Sequence, residues 1–229
     1  MFFRFEFILL RGYFIHIMMN KNRERRIEIA AVVGTGLLKF ILMDWLGLRL
    51  FYVFAACLFW FIYVYRKHKK NPDVLKLWGF QKAYMRSSFF VLIPVALVII
   101  SGTVIYGVLN EVNFVSWHIL PVLVLYPAWG IIQQFMMVGI VAGNLNKLTD
   151  VKITDSQIIL FTAFLFALVH FPSIPLVGFT FFLEIIFIKI YLKWPNIWSL
   201  GLFHGWIGTF FTYFVLERDL WSELWIIFS

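Results

Sequence analysis

The chain has 229 residues, of which 62% are hydrophobic and only 14% are charged, and its mean hydropathy is +0.86. A soluble domain carries about 25% charged residues, so this composition excludes an ordinary soluble fold and predicts a membrane protein. The net charge of +8 does not indicate a nucleic-acid partner, because basic residues cluster beside apolar runs at residues 20–26 and 66–70. Such clusters are typical of cytoplasmic membrane loops.

Long apolar runs recur along the chain, and they favour membrane-spanning helices over a β-barrel, whose strands would alternate polar and apolar residues. The predicted fold class is therefore all-α, a polytopic transmembrane bundle of about seven or eight spans. The predicted spans cover residues 27–46, 49–65, 89–109, 117–142, 157–171, 176–193 and 196–216. We expect membrane lipid as a partner and a multi-pass location in the inner or plasma membrane of the cell.

A single membrane domain is predicted over residues 27–216, followed by a tail over residues 217–229. The N-terminal segment, residues 1–26, has three open interpretations. The first is an interfacial helix, the second is an additional span, and the third is that the true start of the protein is Met18 or Met19.

Loop charges predict the orientation of the bundle. Residues 20–26 and 66–70 fall on one side of a tight hairpin at Gly47 and Leu48, and loop 143–156 shares that side because it carries lysines. Loop 110–113 is acidic and is placed on the opposite side. The segment 71–88 mixes aromatic and basic residues, which suits a helix or turn in the membrane interface.

Local residue patterns predict where several helices begin or end. The polar run 154–156 supplies good N-cap residues, Pro172 and Pro175 end the predicted fifth span, and residues 193–196 form a turn. In the predicted first span, Lys39 and Asp44 either extend towards the interface or pair with each other.

Four polar side chains lie inside predicted spans, where such groups are rare and usually face the bundle interior: Gln133, Gln134, His170 and His204. Consecutive helical residues point about 100° apart, so at most one of the two glutamines faces a shared pocket. Each residue alone has a structural explanation, such as an amide that joins two helices. Their distribution over three spans favours a common site.

The arrangement resembles the CPBP family of intramembrane proteases, which includes the type II CAAX prenyl endopeptidases and bacteriocin-immunity proteins. In that family one helix carries Glu-Glu followed four residues later by Arg, a later helix carries Phe-x-x-x-His, and a last helix carries His-x-x-x-Asn or Asp. The corresponding residues here are Gln133-Gln134 with Val138, Phe166 with His170, and His204 with Gly208. Their order and spacing match over a core of about residues 70–215.

The resemblance implies hydrolysis of a peptide bond. By position, Gln133 and His170 would hold the water, His204 and Gly208 would face the oxyanion, and Gln134 and Val138 would support them. Phe166 belongs to the same supporting set.

The departures from the family pattern weaken its usual chemistry. A glutamine has no usable proton affinity, whereas a positioned base is worth about 10² to 10⁴ in rate. Gly208 has no side-chain hydrogen-bond donor for the oxyanion, and one such donor is worth a factor of about 10² to 10³ in rate. The changes are coordinated, because Val138 removes a buried positive charge together with its two carboxylate partners. A catalytically silent family member is therefore an alternative.

Two routes to activity remain open. His170 or His204 could serve as the base, since imidazole titrates near neutral pH. Alternatively, Glu184, an unexpected carboxylate within the predicted sixth span, could turn into the pocket and replace the missing base. Its structural alternatives are a pairing with Lys189 or a position at the lipid edge. Two histidines fall short of a catalytic zinc site, so we expect neither a metal nor a cofactor.

The sequence thus predicts an intramembrane endopeptidase that acts on a peptide or a lipidated protein. The first alternative is a silent relative that binds a peptide or lipidated tail in an immunity or scaffold role. A small transporter is the third possibility, for which inverted repeats would be expected, and none is evident in the sequence.

Overall fold

The structure is a computed structural model that describes the backbone of residues 2–112 and 117–226 and the side chains of residues 18–112 and 117–223. Within these ranges the secondary structure is helical and contains no strand, so the all-α prediction is confirmed. The predicted loop 110–113 and tail 217–229 both end outside the described residues. The helices are α1 (Phe2–Leu38), α2 (Arg49–Lys70), α3 (Val74–Leu77), α4 (Met85–Leu109), α5 (Ile119–Gln134), α6 (Gly143–Leu145), α7 (Asp155–Leu168), α8 (Ile174–Lys193), α9 (Ile197–Phe214) and α10 (Leu220–Ile226).

Two π-helical segments extend these helices. Lys39–Trp45 continues α1, and Phe135–Ala142 joins α5 to α6. The second segment begins directly after Gln134 and is almost wholly buried. Because π-helical turns occur frequently at functional sites, this position draws attention to the end of α5.

Four helices in the described part of the chain are long and apolar enough to cross a membrane: Arg49–Lys70, Met85–Leu109, Ile119–Leu145 and Ile174–Lys193. The predicted count of seven or eight spans is therefore not confirmed. α7 has only 14 residues, and α9 contains a histidine, several glycines and hydroxyl residues that lower its hydropathy. Length and apolar character therefore identify α5 and α8 as spans but do not identify α7 and α9.

The N-terminal helix runs without a break through the predicted boundary between residues 26 and 27. Residues 20–26 contain neither glycine nor proline, and Lys, Arg and Glu are good helix formers. The charges of this stretch bind a loop instead of ending the helix. Arg26 pairs with Asp150 at 2.8 Å, and Arg25 donates to the carbonyl of Lys147 at 2.7 Å.

The predicted helix caps and helix ends are confirmed. Thr154 caps α7 and exchanges hydrogen bonds with Gln157 in a capping box. α8 begins at Ile174 with a proline in its first turn, and Asn196 caps α9 by accepting from the backbone of Ser199 at 2.9 Å. Lys39 pairs with Asp44 at 2.7 Å.

Polar contacts hold the basic end of the bundle together. Glu28 in α1 accepts a hydrogen bond from Asn144 in α6 at 2.6 Å and another from Tyr63 in α2, and Lys67 lies 3.2 Å from it. These contacts fasten α1 and α2 to the helices that follow them.

The opposite end has its own polar contacts. Lys39, which follows α1, donates to the carbonyl of Phe171 between α7 and α8 at 2.9 Å. His118 before α5 pairs with Asp219, which precedes α10. The two sets of contacts show that the long helices run between two ends and alternate in direction.

The close approach of α5 and α9 depends on glycines. A Cβ on Gly205 would lie 2.4 Å from the Cα of Pro127, and one on Gly201 would lie 2.4 Å from the Cα of Ile131. Gly130 has the same relation to the carbonyl of Gly201, also at 2.4 Å. Small residues let two helix backbones approach in this way, and the contact lies within one turn of Gln134 and His204.

Candidate functional site

Gln134 lies at the centre of a buried polar cluster. Its side chain is fully buried, and its Nε2 lies 2.9 Å from Glu184 Oε2 and 3.2 Å from His204 Nδ1. An amide nitrogen only donates, so its two hydrogens are shared between the carboxyl group and the imidazole. Three helices, α5, α8 and α9, thus meet in one hydrogen-bonded chain.

His170 follows the end of α7 and lies beside the cluster formed by Gln134, Glu184 and His204. Its Nδ1 lies 2.8 Å from the carbonyl oxygen of Phe166, one turn earlier, and 3.4 Å from Thr180 Oγ1 on α8. The ring of Phe166 packs edge-on against both histidines, with ring centroids 4.9 Å from His170 and 5.4 Å from His204. The intact second motif therefore connects the two imidazoles.

The hydrogen bonds assign opposite tautomers to the two histidines. A carbonyl oxygen only accepts, so Nδ1 of His170 carries the hydrogen and its Nε2 keeps a free lone pair. His204 accepts at Nδ1 from Gln134, so in its neutral form the hydrogen is on Nε2. The first imidazole can accept a proton at Nε2, and the second can donate a hydrogen bond from Nε2.

Glu184 turns inwards from α8 and is completely buried. The alternative pairing with Lys189 and the alternative position at the lipid edge are both wrong, because Glu184 bonds Gln134 and Lys189 is exposed. The reason is the phase of α8, which directs Thr180 and Glu184, one turn apart, to the same face. The sequence identified Glu184 as unusual, but it could not give this phase.

Gln133 occupies a different position from its neighbour. It is partly buried, and its Oε1 has no hydrogen-bond partner within the described residues. The contact with His204 belongs to Gln134, which the motif assigns a supporting role. Only one of the two glutamines enters the shared cluster, as the angle of about 100° between consecutive helical residues predicts.

Two apolar positions replace charged or polar residues of the family motifs. Val138 is fully buried in the π-helical segment. Gly208 faces the ring of Tyr126, and a Cβ at this position would lie 3.0 Å from the Cε1 atom of that ring. Tyr126 therefore takes up space that a longer side chain at residue 208 would need.

Sequence reasoning missed three residues of the site. Thr180 contacts His170, Phe187 packs its ring 6.2 Å from His204, and Tyr126 covers Gly208. A signal existed for Thr180, which lies four residues before Glu184. Phe187 and Tyr126 resemble ordinary apolar helix residues. Among the side chains that are described, no group of three His, Cys, Asp or Glu residues forms a potential metal site.

Comparison with known proteins identifies a family for this part of the chain. A family model described as type II CAAX prenyl endopeptidase Rce1-like matches residues 97–210, which include all three motifs and Glu184. No curated protein and no solved structure matches the chain. The chain is thus a membrane protein of the CAAX-protease type, and it belongs to the CPBP family through the Rce1-like group.

Proposed function

We propose that this protein is an intramembrane endopeptidase that hydrolyses a peptide bond of a peptide or lipidated protein at the site formed by His170 and His204. The observation that carries the proposal is the pair of opposite tautomers. One imidazole presents a free Nε2 lone pair, the other presents an Nε2–H donor, and Phe166 packs against both rings. Hydrolysis needs both kinds of group.

In this proposal the two histidines divide the work. Nε2 of His170 accepts a hydrogen bond from the water that attacks the carbonyl carbon. Nε2–H of His204 donates to the carbonyl oxygen, which gains negative charge as the water adds. Gln134 keeps His204 in the required tautomer, and Gln133 serves as an amide that positions the water or substrate.

The proposal includes a multi-pass arrangement in the inner or plasma membrane. The alternating helix directions and the concentration of basic residues near one end of the bundle support it. The polar cluster lies between helices that present many apolar side chains to their surroundings. A substrate would therefore reach the site from the bilayer or its surface.

A second candidate is a relative without catalysis that binds a peptide or lipidated tail. It is favoured by a specific observation, the filling of the space at Gly208 by Tyr126, together with glutamines in place of glutamates. Such a protein would keep the cluster as a recognition site.

The test is cleavage by the purified protein in liposomes, with a peptide library that includes prenylated and unmodified members. We expect cleavage products that are detectable by mass spectrometry. The cleavage rate of His204→Ala should be lower than that of the wild type by a factor of at least about 10². His170→Ala should lose activity similarly. His68→Ala is the matched control, because His68 is exposed at the end of α2. Peptide binding without any products would favour the second candidate.

A further inference from the structure

We propose that Glu184 is the proton acceptor of this site, so that a carboxylate on α8 replaces the one absent from the first motif. The inference rests on the proposed function. It goes beyond it by identifying which group takes the proton of the attacking water and from which helix that group comes.

The first support is the direct connection between Glu184 and the first-motif position. Glu184 Oε2 accepts from Gln134 Nε2 at 2.9 Å, and the same nitrogen lies 3.2 Å from His204 Nδ1. The carboxyl group is therefore one side chain away from a catalytic imidazole. A glutamate at position 134 and one at position 184 would both place a carboxylate in this small region.

The second support is the face of α8 on which Glu184 lies. Thr180, one turn earlier, lies 3.4 Å from His170 Nδ1. Residues four apart share one side of a helix, with Cβ atoms about 5–6 Å apart. One face of α8 therefore contacts His170 through Thr180 and the Gln134–His204 pair through Glu184.

The third support is a set of oxygens that lack donors. Glu184 Oε1 and Gln134 Oε1, on the two side chains of one hydrogen-bonded pair, are buried and have no hydrogen-bond partner within the described residues. Buried polar atoms are nearly always hydrogen-bonded. Water donates two hydrogens, and it is the second reactant of peptide hydrolysis, so these oxygens form a suitable acceptor set for the attacking water.

Glu28, a buried glutamate with a structural role, differs from Glu184 in its hydrogen bonds. Among the described residues, Glu28 and Glu184 are the buried glutamates. Both oxygens of Glu28 have partners, because Tyr63 donates to Oε1, Lys67 also contacts it, and Asn144 donates to Oε2. Glu184 has one bonded oxygen and one that has no partner among the described side chains. Only Glu184 has a free acceptor for a reactant.

Hydrolysis at this site begins with the transfer of a proton from water to Glu184. Glu184 carboxylate removes a proton from water while the water oxygen bonds to the carbonyl carbon, and the carbonyl electrons move to its oxygen near His204. The tetrahedral intermediate then collapses, the C–N bond breaks, and the proton on Glu184 passes to the leaving amine. The products are a carboxylic acid and an amine, and Glu184 returns to its ionised form.

The experiment compares Glu184→Gln with the conservative variant Glu184→Asp. We expect Glu184→Gln to lose about 10²- to 10⁴-fold in cleavage rate. Glu184→Asp should be at least about tenfold faster than Glu184→Gln, because it keeps a general base on α8 while Gln134 still donates to His204. Rates are normalised to folded protein by thermal unfolding in detergent. Glu28→Gln is the matched control and should keep the wild-type rate per folded molecule.

A pH profile supplies a readout that a structural role would not change. The wild-type rate should fall on the acid side as the carboxylate and His170 are protonated. In Glu184→Gln the midpoint of the remaining fall should shift, because only the protonation of His170 is left to reduce the rate. A Glu184→Gln rate within about threefold of wild type, or a folded Glu184→Asp as inactive as Glu184→Gln, would overturn the proposal. Absence of products from the wild type itself would instead reject the proposed endopeptidase function.

Discussion

Adjacent glutamines with the same chemistry have different environments in this bundle. The sequence predicts that at most one of them enters a shared pocket, and the structure selects Gln134. The choice depends on how α5 is rotated against α9, which is a property of tertiary packing and not of the local pattern. For the same reason the sequence could identify Glu184 as an unusual carboxylate but not its partner.

This difference predicts unequal effects of the same substitution. Gln134→Leu should lower the free energy of unfolding by about 1–3 kcal/mol, because the buried Glu184 carboxyl loses its donor. Gln133→Leu should change it little, since no hydrogen bond of its Oε1 is lost. The measurement is equilibrium unfolding in mixed detergent micelles.

A second substitution checks the cause of that loss. Adding Glu184→Leu to Gln134→Leu should recover most of the stability, because replacing both buried polar partners by apolar groups can be nearly neutral. Additive losses in the double variant would show that Gln134 and Glu184 do not interact as described.

At the scale of helices, local signals predicted the ends well and the packing poorly. The capping residue Thr154, the prolines before α8 and the turn before α9 act through neighbouring backbone groups, so the sequence was sufficient. The crossing of α5 and α9 was not predicted. Its glycines are separated by about 70 positions along the chain, and nothing local connects them.

Gly205→Ala should therefore destabilise the bundle by about 1–3 kcal/mol, because its Cβ would meet the backbone of Pro127 at 2.4 Å. The separation of α5 and α9 should also reduce cleavage, since it lengthens the Gln134–His204 contact. Thermal unfolding and the liposome assay measure the two effects.

Gly102→Ala is the control for that substitution. Gly102 lies within α4, and a Cβ there would meet no atom of the described part of the chain within 4 Å. Alanine favours helix over glycine, so this variant should be as stable as the wild type or slightly more stable. Equal losses at Gly102 and Gly205 would contradict a role of the close approach.

For the whole molecule, charge and helix direction together predict the orientation. Loop 143–152 and residues 20–26 lie at one end, as the Arg26–Asp150 pair demonstrates. The contact between His118 and Asp219 joins the chain segments at the other end. The sequence predicted this division of loops, although the number of spans that it predicted is not confirmed.

The arrangement predicts which sites share a side of the membrane. Cys57 is the sole cysteine, so Cys57→Ser provides a background for single cysteines at the exposed positions Lys69, Lys152, Glu111 and Glu217. In inverted membrane vesicles, an impermeant thiol reagent should label positions 69 and 152, because basic loops stay on the cytoplasmic side. Positions 111 and 217 should react only in vesicles of native orientation. Labelling of position 111 together with position 69 would mean that α4 does not cross the membrane, which would contradict the predicted orientation.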